Sequence, residues 1–257
     1  MTTTTLATTE TGVLQMVRAR IDAREFRRWM GEKHLRDKDH AMHCLLAESF
    51  GDLAPKPFRL MLPRGGSTGV FYGYGRSDAG ALRKMADIYT DPLQGRIIPV
   101  DEMYSKAMPS AWRVGQRLGF EVRLRPVVRR AREKGDHRHR EMDAFQAEAE
   151  RHPKGEMPRS REQVYAGWLS DKFAILLSEE SIRRRAASLN LTQTRLVSFQ
   201  RTRAYRKARD TRYSEGPDAL MRGVLTITDP EAFAALLAKG IGRHKAYGFG
   251  MLLLRPS

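Results

Sequence analysis

Apolar and polar residues alternate through "GVLQMVRARID" (Gly12–Asp22), with Val17, Ala19 and Ile21 set between Arg18 and Arg20. That period of two predicts a strand. "AREFRRWM" and "DKDHAMHCLLAESFG" follow with helical patterning, the second ended by Gly51. "KPFRLMLPR" and "TGVFYGYGRS" read as strands joined by a turn, "RGGS", around Gly65 and Gly66. "SDAGALRKMADIYTD" opens on a capping Ser-Asp pair and repeats apolar residues at Leu82, Met85 and Ile88, so it predicts a helix. "GRIIPV" predicts a further short strand. The first half therefore reads β-α-β-β-α-β.

"RLGFEVRLRPVVRR" (Arg117–Arg130) starts a second unit as a strand. The next stretch, "AREKGDHRHREMDAFQAEAERHPKGEMPRS", is almost wholly polar and reads as a flexible insertion or an exposed helix. "REQVYAGWLSDKFAILL" is an amphipathic helix with Val164, Trp168 and Leu169 on one side. "TQTRLVSFQRTRAYRKARDTRY" reads as a strand entering a very basic loop or hairpin. "ALMRGVLTIT", "DPEAFAALLAKG" and "GFGMLLLRP" give strand, helix and strand, with Asp229 as N-cap and Pro230 at the first helical position. The fold class expected is α+β: two tandem ferredoxin-like (βαββαβ, RRM-like) domains. They would occupy residues 12–112 and 113–257, joined near 108–116, after a disordered leader at 1–11. No repeat is visible in the residues themselves.

Charge narrows the partners. The chain of 257 residues carries 46 Lys and Arg against 30 Asp and Glu, a formal net charge of +16. Such a field attracts polyanions: nucleic acid, anionic membrane or acidic protein. No apolar run approaches the roughly 18 residues needed to cross a bilayer, and the basic residues do not line an amphipathic helix. The first residues show neither the basic nor the apolar region of a secretory signal. The single cysteine, Cys44, excludes an internal disulfide. A soluble cytoplasmic protein without a membrane partner is expected.

The closing "KGIGRHKAYGFGMLLLRPS" (Lys239–Ser257) sets Gly240, Gly242, Gly248 and Gly250 around Arg243, His244 and Lys245. A phosphate-binding loop needs a strand before it and a helix N-terminus after it. Here the order is reversed, and the helix end nearby is a C-terminus with partial negative charge. The nucleotide pocket is excluded. "KAYGFGML" matches an RNA-recognition signature at Lys245, Tyr247, Gly248 and Phe249 but misses at Ala246, Gly250 and Leu252, and it lies on the last strand rather than a central one. Two readings stay open: a turn whose glycines supply positive φ, or a corner that brings Arg243 and Lys245 against a ligand.

Among the seven histidines, His137, His139 and His152 fall in the polar stretch, His34 between two helices and His244 in the glycine loop. His40 and His43 are neighbours on one helix surface. Met42, Leu45, Leu46 and Phe50 form that helix's apolar stripe, with His43 at its margin and His40 further toward solvent. The pair reads either as an ordinary surface pair or as a site held at the edge of the core. His34, His40, His43 and Cys44 fit no zinc spacing, adjacent His43 and Cys44 point to different helix faces, and no carboxylate cluster suits a two-metal nuclease. No metal or cofactor is expected. Residues 123–140 hold eight Lys and Arg against two acids, and residues 201–212 hold six against one. The second run interleaves aromatics with arginines, as an ordered cationic hairpin on RNA would.

"GVLTITDPEAFAALLAKGIGRHKAYGFGMLLLRP" resembles the C-terminal signature of the CRISPR-associated CasE endoribonucleases, the repeat-processing subunit of type I-E Cascade. "VRLRPVVRRAR" and "REQVYAGWLSDKF" extend the likeness over most of the chain. The resemblance implies two ferredoxin-like domains and a metal-independent cut beside a CRISPR repeat stem-loop. Such a cut needs 2′-OH activation, protonation of the leaving 5′-oxygen and cationic support for the phosphorane. It places His43 at the family's catalytic histidine and His40 where the family carries a tyrosine. The RNA contacts it implies are Arg201, Arg203, Arg206, Lys207 and Arg209, with Arg125, Arg129, Arg243 and Lys245 nearby. Repeat RNA and other Cascade subunits are the implied partners. A non-catalytic RRM-like RNA-binding or scaffold protein is the alternative.

Overall fold

The structure, a computed structural model, describes residues 12–129, 141–152, 156–177, 183–205 and 213–257. The leader expected at 1–11 lies outside the described residues. In the first half, β1 (Gln15–Asp22) buries Val17, Ala19 and Ile21 and exposes Arg18 and Arg20, as its alternation requires. Asp22 caps α1 (Ala23–Glu32) and Asp37 caps α2 (Lys38–Phe50), which stops at Gly51. Strands β2 (Phe58–Met61) and β3 (Thr68–Gly75), helices α3 (Ala79–Tyr89) and α4 (Pro92–Ile97), and strand β4 (Tyr104–Ala107) complete the half. The four strands form one antiparallel sheet in the order β2-β3-β1-β4. Phe26, Trp29, Met42, Leu45, Leu46 and Phe50 pack with it as a core.

Two readings of this half need correction. "GRIIPV" is not a strand. Asp91 and Gln94 form a capping box, Pro92 takes the first helical turn, and the resulting α4 buries Ile97, followed by buried Ile98. The fourth strand comes later, at Tyr104–Ala107. In α3 the buried positions are Ala79, Leu82 and Ala86, while Ile88 is 73% exposed, since each step of three residues drifts about 60° round the helix and carries Ile88 off the buried face.

The second half contains β5 (Arg117–Leu124), β6 (Val127–Arg129), β7 (Glu141–Asp143), α5 (Ala144–Ala149), α6 (Arg161–Lys172), β8 (Ala174–Leu176) and β9 (Arg183–Arg185). It continues with β10 (Ala187–Leu189), β11 (Arg195–Tyr205), β12 (Tyr213–Ile227), α7 (Pro230–Lys239) and β13 (Leu252–Arg255). Here β5 lies between β12 and β13, all antiparallel. The outer edge of β12 carries β11 along residues 213–222 and β10 along 225–227. The order of the principal strands, second-third-first-fourth, repeats that of the first sheet.

The strand expected over Arg117–Arg130 breaks at Arg125–Pro126 into β5 and β6, since proline cannot continue the ladder. The polar stretch after it, where described, is neither loose nor wholly exposed. Asp143 and Glu148 are buried, and the Tyr165 hydroxyl and Arg161 donate to Asp143 at 2.8 and 2.9 Å. The halves meet where the buried Tyr74 hydroxyl of β3 donates to the Leu252 carbonyl of β13, at 2.9 Å. Among the described residues no helix is long and apolar enough to cross a membrane.

Candidate functional site

Helix α2 builds one side of the site. Its cap, the Asp37 carboxylate, accepts from the N–H groups of Asp39 and His40 at 2.8 and 3.4 Å, which starts the helix one turn before His43. Met42, Leu45, Leu46 and Phe50 are buried, as the apolar stripe predicts. His40 reverses its expectation: it is only 8% exposed, while His43 is half-buried. The cover is the glycine loop, whose short turn Lys245–Tyr247 packs on α2. The Tyr247 ring centroid lies 5.7 Å from that of His40, 6.0 Å from His43 and 6.3 Å from His244.

All four glycines, Gly240, Gly242, Gly248 and Gly250, have positive φ. None of the four has free room for a side chain either. A Cβ on Gly250 would lie 2.2 Å from the Ile241 carbonyl oxygen, and one on Gly248 would lie 2.9 Å from Asp39 Oδ1. Glycine thus lets the loop close directly on the first turn of α2.

Burial pushes the His43 imidazole below its ordinary pKa, and the neighbouring His40 and Lys56 push it the same way. Burial also lowers His40, with Asp37 opposing. Burial lowers the Lys245 ammonium, helped by Lys239 and Lys56. The result is a pair of imidazoles biased to the neutral, proton-accepting form beside two lysines that supply positive charge. Both the tyrosine and Lys56 escaped the sequence reading. Tyr247 stood inside the glycine motif, but nothing local in sequence tells that the loop folds back roughly two hundred residues onto α2.

The other histidines are placed elsewhere. His34 has a φ of 55°, in the turn between α1 and α2. His152 lies 3.8 Å from Glu148. His137 and His139 lie outside the described residues. His244 is held by Glu141 at 2.7 Å, and the same carboxylate takes Arg243 Nε at 2.5 Å. The His244 hydrogen bond is the main reason the Glu141 carboxyl titrates below its usual range.

The basic residues divide between two grooves. Arg125, Arg201 and Arg203 line one of about 410 Å³, joined by Arg36 and Lys38 from the start of α2. Arg129, Arg243 and Lys245 line another of about 660 Å³, with Lys172, Arg183 and Lys239. On the hairpin face, Arg201 and Arg203 both reach Glu215 of the facing strand, at 2.9 and 3.5 Å. Arg206, Lys207 and Arg209 lie outside the described residues.

Beneath the first groove runs a buried ion network that the sequence did not suggest. Arg123 of β5 donates through Nη1 to Asp39 at 2.7 Å and through Nε and Nη2 to Asp218 of β12 at 2.8 and 2.7 Å. Its guanidinium lies 4.3 Å from the centroid of the Phe249 ring. Burial works against the Arg123 charge, but the two carboxylates outweigh it and drive its pKa up. Burial raises the Asp39 carboxyl, with Arg123 the main opposing influence. Removing one partner of such a network typically costs about 3–5 kcal/mol, because a charge is left buried alone. Among the described residues no group of three or more His, Cys, Asp or Glu side chains is placed to hold a metal ion.

A family model described as CRISPR associated protein matches residues 14–256. No curated protein matches the chain. Among solved structures, the CRISPR endoribonuclease Cse3 bound to 19 nt RNA is similar in fold at a TM-score of 0.60 and 19% identity, over 95% of this chain and 100% of that one. Thermus thermophilus Cse3 bound to an RNA representing a pre-cleavage complex gives 0.57 and 18%, over 95% and 100%. A chain of a CRISPR RNA-guided surveillance complex, pre-nicking, gives 0.54 and 15%, over 94% and 100%. The structural likenesses are of fold; the family model, reaching from β1 to the residue after β13, fixes the kinship, and the chain belongs to the CRISPR-associated protein family.

Proposed function

We propose that this protein is a metal-independent endoribonuclease that cuts CRISPR repeat RNA beside a stem-loop. The observation that carries the reading is the convergence of His40, His43 and Tyr247, with Lys56 and Lys245 beside them, next to two basic grooves. Neutral His43 takes the proton of a ribose 2′-OH, and the freed oxygen attacks the adjacent phosphorus. The bond from phosphorus to the 5′-oxygen breaks, and the Tyr247 hydroxyl, beside a neutral His40, returns a proton to that oxygen. Lys56 and Lys245 offset the charge of the phosphorane. The products are a 2′,3′-cyclic phosphate and a 5′-OH.

In this reading residues 12–112 and 113–257 are two ferredoxin-like domains, a division supported by the shared strand order of the two sheets. The first brings the histidines, while the second brings the cationic hairpin of Arg201 and Arg203 and the glycine loop. The stem would lie along the hairpin and the first groove, with Arg125 at its floor and Arg129 and Arg243 serving the strand beyond the cut. Retention of the product within a Cascade-type assembly fits the likeness to a chain of a surveillance complex. Incubating repeat RNA with the protein in excess EDTA tests the proposal. Cutting to cyclic-phosphate ends is the expected result. Loss of cutting in EDTA would overturn metal independence, and tight binding with no cleavage under any condition would leave an RNA-binding protein instead.

A further inference from the structure

Asp39 is one residue from His40, yet its carboxylate belongs to the other half of the molecule. Oδ2 accepts from Arg123 at 2.7 Å, and Oδ1 is buried without a hydrogen-bond partner, against the backbone of Gly248, the residue after Tyr247. Arg123 in turn grips Asp218, and the exposed Gln200 donates to the same Asp218 oxygen at 2.9 Å. Gln200 precedes Arg201 on β11 and lines the same groove. A continuous chain of polar contacts therefore runs from the hairpin surface through Gln200, Asp218, Arg123 and Asp39 to the first turn of the histidine helix. The Phe249 ring packs against the guanidinium, and this one planar group bonds both carboxylates at once. A buried ion network is seldom more stabilising than apolar packing of the same volume, so stability alone does not account for it.

We infer that Arg123 and Asp39 are positioning residues that transmit occupation of the hairpin groove to His40 and His43. Phosphate charge arriving beside Arg201 and Arg203 bears on Gln200 and Asp218, and the rigid guanidinium passes the displacement to Asp39 and α2. The inference rests on the proposed RNA cleavage for its consequence, but its first test does not need cleavage.

The full-length protein is titrated with a repeat stem-loop truncated before the cut site, which can fill the hairpin groove without entering the histidine site. Imidazole NMR signals of His40 and His43 are followed. They shift in the wild type and stay unmoved in Asp39→Asn, at matched saturation. With the complete repeat, Asp39→Asn lowers the single-turnover rate by about 10-fold while affinity for a non-cleavable 2′-deoxy repeat changes by less than about 2-fold. Arg201→Ala then slows the bound reaction in the wild type but not in the Asp39→Asn background. Should Asp39→Asn fail to fold, Gln200→Met replaces it, being exposed and outside the ion pair; at matched saturation the histidine shifts shrink and the single-turnover rate falls, each by less than in Asp39→Asn. Histidine signals that respond equally in variant and wild type would overturn the inference. A wild type that binds and shifts but never cuts would instead overturn the proposed function and leave the coupling standing.

Discussion

The two sheets share one strand order and differ in the hairpin at their second and third strands. In the first sheet that hairpin joins strands of 4 and 8 residues; in the second it joins strands of 11 and 15. The first half keeps its polar chemistry inside, with His40 buried under a loop. The second half displays its chemistry on an extended ribbon of arginines. In the proposed function one topology would serve two tasks: a dry environment that depresses imidazole pKa values, and a wet one that gathers phosphate. Position of burial, more than residue type, separates the two roles.

The sharpest break between them comes from His43→Ala. It should lower the single-turnover rate on repeat RNA by about 10²–10⁴-fold, with affinity for the 2′-deoxy repeat held. A variant that cuts at the wild-type rate would remove the first half from the chemistry. Tyr247→Phe keeps the ring and removes the hydroxyl, so a rate drop of about 10–100-fold at unchanged affinity is expected if the hydroxyl carries a proton. An unchanged rate would leave the loop as cover only. Arg201→Ala with Arg203→Ala addresses the other half. Affinity should fall about 10-fold, and the slope of log affinity against log salt should shrink by about one for each phosphate no longer neutralised by an arginine. A variant pair with the wild-type salt slope would move RNA off the hairpin.

The smallest effect is in pH. His43 is pushed below its ordinary value of 6.5, so the base is already deprotonated at neutrality. The cleavage rate should therefore stand near its plateau at neutral pH and fall as acidification protonates the imidazole. A rate still rising through neutral pH would assign the base to another group.

Most of the elements were legible, because strand alternation and capping residues act locally. Asp229–Pro230 correctly announced α7; the same dipeptide at Asp91–Pro92 opens α4, but the apolar run at Ile97, Ile98 and Val100 after it read as a strand. Ile88 shows the limit of that spacing: repeated steps of three leave the face that Leu82 buries, while Ala79, Leu82 and Ala86 keep to it. The place of His43 at the margin of the apolar stripe could be read from spacing, while its role came only from the family resemblance. The burial of His40, the nearness of Tyr247 and the Asp39–Arg123–Asp218 network could not be read from spacing. Each depends on segments 84 to over 200 residues apart meeting at the join of the halves, and no local pattern encodes that meeting.

The length of β12 has its own consequence. Its pairing with β5 begins only at Ala219, so residues 213–218 run beyond the body of the sheet with β11 as their partner. Six residues of strand span about 20 Å. In the proposed function, a ribbon rooted in the sheet core and anchored at Asp218 would work as a ruler. An RNA stem seated along it would meet the histidines at a fixed distance from its base, and the cut would be chosen by length measured from the stem rather than by the identity of the bases at the break.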